Sequence, residues 1–309
     1  MNRPFTVRVS GVSHSYGSHR ALDNVEFGVA PGEIFGLLGP NGGGKTTLFR
    51  ILSTLLPISE GTVEIDGHDA RTDVSGVRSR IGVVFQSPSL DIKLTVRENM
   101  VHHAHLYGLY GKSLSTAITE SLARLGLSDR GGDLVETLSG GLKRRVELAK
   151  GLLSEPSVLI LDEPSTGLDP GARRDLWDYL AALRQERGTT ILVTTHLMEE
   201  AEYCDRLCVL DRGRIVSMGT ADELRSKIGG DILTIRTANA DALCAELNQR
   251  FTQSAKVVSG TVRLESPEAK HLIQRIYEAF PEQVDAISLG RPTLEDVFIH
   301  ETGHQFWNE

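Results

Sequence analysis

The chain has 309 residues, 40% of them hydrophobic and 24% charged, enough for one large domain with a real core and a small second one. That composition excludes disordered, collagen-like and disulfide-rich chains. Its 41 acidic and 33 basic residues leave a net charge of −8, a field that repels phosphate backbones and disfavours general nucleic-acid binding.

The pattern read from the N-terminus begins with strands. No apolar signal core follows residues 1–5. Residues 7–29 alternate between apolar and polar and are expected to form an antiparallel layer with residues 62–65. Four short, unbroken apolar runs then recur along the chain. Residues 34–38 end at Gly39, 81–85 at Gln86, 158–161 at Asp162-Glu163, and 190–193 at Thr194-Thr195-His196. Runs of this length without alternation are strands buried on both faces, as in a parallel sheet. Ligands of such sheets sit beyond the carboxyl ends of the strands, so one edge should collect these polar residues.

Helices are expected over residues 46–55 and over 172–187, the second stopped by Gly188. Residues 95–127 are helical in composition, interrupt the strand series and read as a separate helical lobe. The pattern breaks at Gly229-Gly230. Beyond it come a strand (232–236), a helix (240–251), two short strands around Ser259-Gly260, a helix (267–280), a strand (284–288) and a last helix after Arg291-Pro292. Residues 1–228 and 231–309 are thus expected as two domains, the second a small α/β accessory unit. No stretch approaches the roughly 18 uninterrupted apolar residues of a membrane span, so work at a membrane would need spans from another chain.

The sharpest motif is Gly39-Pro40-Asn41-Gly42-Gly43-Gly44-Lys45-Thr46, followed by Thr47. Its glycines let backbone N–H groups turn inward around phosphates, at the mouth of a helix whose N-terminus favours anions. Lys45 would reach the β- and γ-phosphates and Thr46 would ligate Mg²⁺. Asp162, at the end of a buried strand, suits contact with Mg²⁺, and Glu163 suits a general base that activates water. Ser139 is a good N-cap for a helix whose Leu142, Val146, Ala149 and Leu153 share one face, with Gly140 and Gly141 leaving N–H groups open to a phosphate. Taken alone, that segment is an ordinary capped helix.

Two other clusters invite a metal and fit one poorly. The spacing of His102, His103 and His105 is poor for one metal site on a helix, where ligands usually recur at i and i+3 or i+4, and suits a solvated or partner-facing helix. Cys204, Cys208 and Cys244 lack the number and spacing of a zinc site and suit reduced cytosolic thiols.

The order of these motifs in one chain resembles the ATPase subunits of ABC transporters. The runs Leu-Ser-Gly-Gly-Leu-Lys-Arg-Arg-Val-Glu-Leu-Ala-Lys (138–150) and Val-Leu-Ile-Leu-Asp-Glu-Pro-Ser-Thr-Gly-Leu-Asp (158–169) carry it most specifically, and it extends from Phe5 to about Ile228. The resemblance implies a P-loop NTPase (RecA-like) core with an antiparallel β layer and a helical lobe. It implies that Tyr16 stacks on adenine, and that Gln86 senses Mg²⁺ and the attacking water and connects to a transmembrane partner. It further implies that His196 holds the γ-phosphate, that Asp169 lies in a loop crossing to the opposite subunit, and that Ser139, Gly140 and Gly141 bind the γ-phosphate held by that subunit. Leu142 departs from the glutamine common in the family at that place; Glu163 and His196 are both intact.

The stretches 86–91 and 94–99, Lys143-Arg144-Arg145 and the tail Pro292-Thr293-Leu294-Glu295-Asp296-Val297-Phe298 are similar to ATPase subunits of drug, polyketide and glycolipid exporters of the ABC-2 type. The resemblance therefore implies an ATP- and Mg²⁺-dependent ATPase, dimeric, peripheral on the cytoplasmic face of the membrane and coupled to separate permease subunits. Two other readings stand beside it: a soluble ATPase of the same family acting on ribosomes or DNA, and an ATP-switched regulatory protein. One cassette, no heptad run and a net charge of −8 weigh against the first.

Overall fold

The structure is a computed structural model and describes residues 5–251 and 255–306. The chain divides into two compact units, Met1–Ile215 and Val216–Glu309.

The first unit opens with β1 (Val7–Tyr16) and β2 (His19–Val29), an antiparallel pair that continues through β4 (Glu60–Ile65) to β5 (His68–Asp69). One face of this layer is apolar because alternate residues point the same way. Val7, Val9, Val25, Phe27, Val63 and Ile65 are all buried on it.

The second layer is a six-stranded sheet in which five neighbouring strands run parallel: β3 (Ile34–Leu38), β6 (Ile81–Val84), β7 (Val158–Asp162), β8 (Thr190–Thr195) and β9 (Arg206–Asp211), in the order β9-β3-β8-β7-β6. Every residue of β3, β7 and β8 is buried, as their unbroken apolar runs predict. β9 is a fifth parallel strand that the sequence reading does not single out. Its apolar run, Leu207 to Leu210, follows Arg206 and is as long as that of 158–161, and Leu207 to Asp211 are buried. Cys208 lies within it, its thiol pushed up to about 12 by burial.

Helix α1 (Lys45–Leu52) fills the space between the layers with Leu48, Phe49, Ile51 and Leu52. Helix α2 (Val74–Arg80), which the sequence reading also passes over, leads into β6; its N-cap Asp73 accepts from the Gly76 N–H.

The expected lobe contains α3 (Val96–Leu106) and α4 (Gly111–Arg124). Thr95 and Glu98 start α3 with a reciprocal capping box. Both helices pack on α5 (Gly140–Gly151), capped by Ser139. Of the face expected to be core on α5, Val146, Ala149 and Leu153 are buried and Leu142 only half so. Helix α6 (Pro170–Arg187) has Asp169 as N-cap, Pro170 at its first position and Gly188 as a left-handed stop with φ 66°. The short α7 (Met198–Ala201) follows β8.

The second unit runs from within β10 (Arg214–Gly219) through α8 (Ala221–Ser226), β11 (Asp231–Arg236), α9 (Ala240–Phe251), β12 (Lys256–Val258), β13 (Thr261–Ser266), α10 (Ala269–Ala279) and β14 (Ala286–Gly290) to α11 (Leu294–Thr302). Its sheet, β12-β13-β11-β14, is antiparallel throughout. The division falls ahead of the Gly229-Gly230 break because the residues just before that break are tied to the last helix. The Ser217 hydroxyl donates to Glu301 at 3.1 Å, and Lys227 lies 3.7 Å from the same carboxylate. Among the described residues no helix is long and apolar enough to cross a membrane.

Candidate active site

The parallel strands bring their ends to one place. Residues 39–44 connect β3 to α1, and Gly44 caps that helix with φ 106°. A side chain at Gly39 would come within 2.3 Å of the Leu210 carbonyl, and one at Gly44 within 2.8 Å of the Ala21 carbonyl. The motif therefore needs glycine at both places for space, and at Gly44 for conformation too.

The loop is fixed from outside by Gly213. Its N–H donates to the Gly43 carbonyl at 3.0 Å, and its own carbonyl accepts from the Asp23 N–H of β2 at 2.8 Å. Tyr16, at the end of β1 and nearly half exposed, pairs with His19 of β2, the strand that Gly213 bonds. Tyr16, Asn41, Gly42, Gly44, Lys45, Thr46, Thr47, Gln86 and Glu163 line one open groove.

Lys45 is buried, and its Nζ donates to the carbonyls of Gly39 (2.8 Å) and Pro40 (2.9 Å). Burial lowers its pKa, while Glu163 and Asp162 oppose the shift. Asp162 is also buried, and burial raises its pKa against the hydrogen bond from the Thr194 hydroxyl.

Glu163 is the hub of the site. One carboxylate oxygen lies 3.0 Å from His196 Nδ1 and 3.9 Å from Lys45 Nζ. The other accepts from Gln86 Nε2 at 2.9 Å and from the Thr166 hydroxyl at 3.3 Å. Its backbone has φ 44°, a left-handed conformation that costs a non-glycine residue about 1–3 kcal/mol unless its surroundings enforce it. The Glu163 N–H donates to the Thr194 carbonyl at 3.1 Å and to the Thr194 hydroxyl at 3.0 Å.

Sequence reasoning does not foresee the supports around this hub. Glu200 is buried between the two loops that follow β7 and β8; it accepts from the Ser165 hydroxyl and, at 2.6 Å, from the Thr195 hydroxyl. Burial raises its pKa, opposed by the Thr195 bond and Arg173. Arg144, inside a run of three basic residues, is buried as well and bonds the carbonyls at the ends of β6 and β7. Basic runs on helices are usually solvated, so only the fold reveals this one.

Not every candidate lies in the groove. Ser139 and Gly140 are exposed outside it, and the Ser139 hydroxyl accepts from the Leu142 N–H at 3.3 Å. Asp169 is exposed and caps α6, accepting from the Ala172 N–H at 2.9 Å. Among the described residues no group of three or more His, Cys, Asp or Glu is placed to hold a metal ion. In the histidine cluster, the rings of His103 and Tyr107 lie 5.1 Å apart, and His105 stacks on Tyr110 at 4.9 Å.

The family model described as "ABC transporter" matches residues 22–166. The daunorubicin resistance ATP-binding protein DrrA3 of Streptomyces coeruleorubidus is 40% identical over 96% of both chains. The Nod factor export ATP-binding protein I of Sinorhizobium fredii is 39% identical over 97% of this chain and 86% of its own. Among solved structures, cbiO1 of Clostridium perfringens, part of a transporter complex, superposes with a TM-score of 0.67 at 27% identity, covering 87% of this chain and 99% of its own. A dimeric post-hydrolysis ATP-binding cassette bound to ADP and Pi superposes with a TM-score of 0.63 at 28% identity, over 69% and 98%.

Proposed function

The chain belongs to the ATP-binding subunits of ABC transporters, among the ATPases of exporters, and from that premise we propose how its residues do the work. Two ATPase subunits sandwich nucleotide between the phosphate loop of one and the Ser139-Gly140-Gly141 helix start of the other. Asp169 faces the partner across the same interface. Closure is passed to separate transmembrane permeases from the cytoplasmic face of the membrane, and hydrolysis resets the dimer. The exposure of Ser139 and Gly140, away from the groove that holds Lys45, supports a role for them across an interface.

The observation that carries this reading is the convergence of Lys45, Gln86 and His196 on the Glu163 carboxylate. Glu163 accepts the proton of a water positioned between it and the γ-phosphate, and the products are ADP and phosphate. Lys45 leaves the Gly39 and Pro40 carbonyls to meet phosphate oxygens, a better acceptor for an ammonium. His196 holds the γ-phosphate, and Tyr16 offers its ring to the base. Thr46, Gln86 and Asp162 form an oxygen-rich set that fits Mg²⁺, because Gln86 gives its amide nitrogen to Glu163 and keeps its amide oxygen for a cation. The ion would neutralise phosphate charge.

Glu163→Gln preserves shape and removes the base. Phosphate release should fall about 10²- to 10⁴-fold with ATP binding retained, and size-exclusion chromatography with ATP should show a stable dimer. Normal hydrolysis, or a monomer with ATP bound, defeats the assignment. Affinity capture from detergent-solubilised native membranes tests the partner: a polytopic membrane protein supports transport, whereas ribosomal or DNA-processing proteins alone point to a soluble member of the family.

A further inference from the structure

Arg144 is chemically saturated. A guanidinium has five N–H donors in a planar fork. Here Nε donates to the Pro164 carbonyl at 2.6 Å. Nη1 donates to the Phe85 carbonyl and to the Glu147 carboxylate, each at 2.7 Å. Nη2 donates to the carbonyls of Asp162 and Glu163 at 3.3 and 3.4 Å. Five donors meet five acceptors, in a side chain that is 8% exposed.

The acceptors are the point. Asp162, Glu163 and Pro164 form the turn that carries the proposed base, and Phe85 directly precedes Gln86. Glu163 is therefore clamped at both ends of its left-handed residue, by Thr194 at the N–H and by Arg144 at the carbonyl. Gln86 is bracketed as well. Beyond it, the Ser89 N–H donates to Glu147 at 2.6 Å, and Lys150 donates to the Ser89 carbonyl at 2.9 Å. Glu147 also neutralises Arg144. All three anchors, Arg144, Glu147 and Lys150, project from α5, the helix that begins at Ser139-Gly140-Gly141.

We propose that Arg144 is a positioning residue for hydrolysis, holding the backbone of Glu163 and Gln86 in register so that the two side chains meet the attacking water together. It rests on the reading of Glu163 as the base. Small misplacements in such sites cost on the order of 100-fold in rate, with substrate affinity largely spared. An ammonium has three donors in a tetrahedral array and cannot reproduce a planar five-bond fork, although it keeps the charge opposite Glu147.

The test uses the full chain, with kcat expressed per ATP-binding-competent site from a fluorescent-nucleotide titration. Arg144→Lys should lower kcat about tenfold to 100-fold while KM and nucleotide affinity move less than about threefold. Arg144→Gln combined with Glu147→Gln removes both buried charges together and should show the same split. An unchanged kcat per competent site in either variant, or loss of activity only in proportion to lost binding in both, overturns the proposal. The two readings fail separately: Glu163→Gln hydrolysing normally removes the base, whereas a slow Glu163→Gln beside a fully active Arg144→Lys removes only the positioning role.

Discussion

The two units are built from the same ingredients, strands backed by helices, and differ in strand direction. In the first unit five neighbouring strands of the six-stranded central sheet run parallel, so Gly39, Gln86, Asp162-Glu163 and His196 emerge at one edge. In the second, every pairing is antiparallel and strand ends alternate between edges. Its polar groups are spent locally. Asp296 closes a capping box with Thr293 and meets Arg263 at 2.8 Å, and His300 meets Glu265 at 3.2 Å. A shared direction is what turns scattered polar residues into a site. In the antiparallel unit these polar groups pair with one another instead.

Substitutions can break that contrast, and the largest expected effect on nucleotide binding belongs to Lys45. Lys45→Ala removes a charged donor from the groove and should weaken ATP binding about tenfold to 100-fold in a nucleotide titration. Unchanged affinity would mean that the parallel edge is not where phosphate binds. Leu233→Ala, in the core of the antiparallel unit, should instead lower unfolding stability by about 2–5 kcal/mol, read by denaturant titration, because its side chain is wholly buried. A loss of nucleotide affinity of the Lys45 size would deny that the two units divide function from support.

The smallest effect is a pH dependence within the first unit. Burial, reinforced by the positive charge of Lys150, lowers the His103 pKa from 6.5 to about 4. The folded state prefers the neutral ring, so this contribution is present above pH 6.5 and is lost as pH falls from 6.5 towards about 4. Melting temperatures measured across that window should decline less steeply for His103→Phe than for the unaltered chain. Parallel slopes would show that another group titrates.

Much of the fold is legible in the sequence because unbroken apolar runs are hard to mistake. The stretches 158–161 and 190–193 announce buried strands, and the polar residues after them mark the edge that matters. The phosphate loop is legible for a similar reason, since its glycines answer to steric demands at Gly39 and Gly44 that no other residue meets. What stays hidden depends on distant chain segments. Arg144 looks like one member of a solvated basic run until carbonyls from β6 and β7 close around it. β9 is passed over although its apolar run, Leu207 to Leu210, is as long as that of 158–161. Thr194 reads as a strand residue, yet its hydroxyl serves both the backbone of Glu163 and the carboxylate of Asp162.

The turn at Gly213 has one more consequence. Its main chain bonds the phosphate loop on one side and β2 on the other, and a side chain there would press within 2.6 Å of the Ala21 carbonyl. A single methyl group at residue 213 would therefore push on β2 and, through the Gly213–Gly43 bond, on the loop of residues 39–44, from a place outside the groove itself.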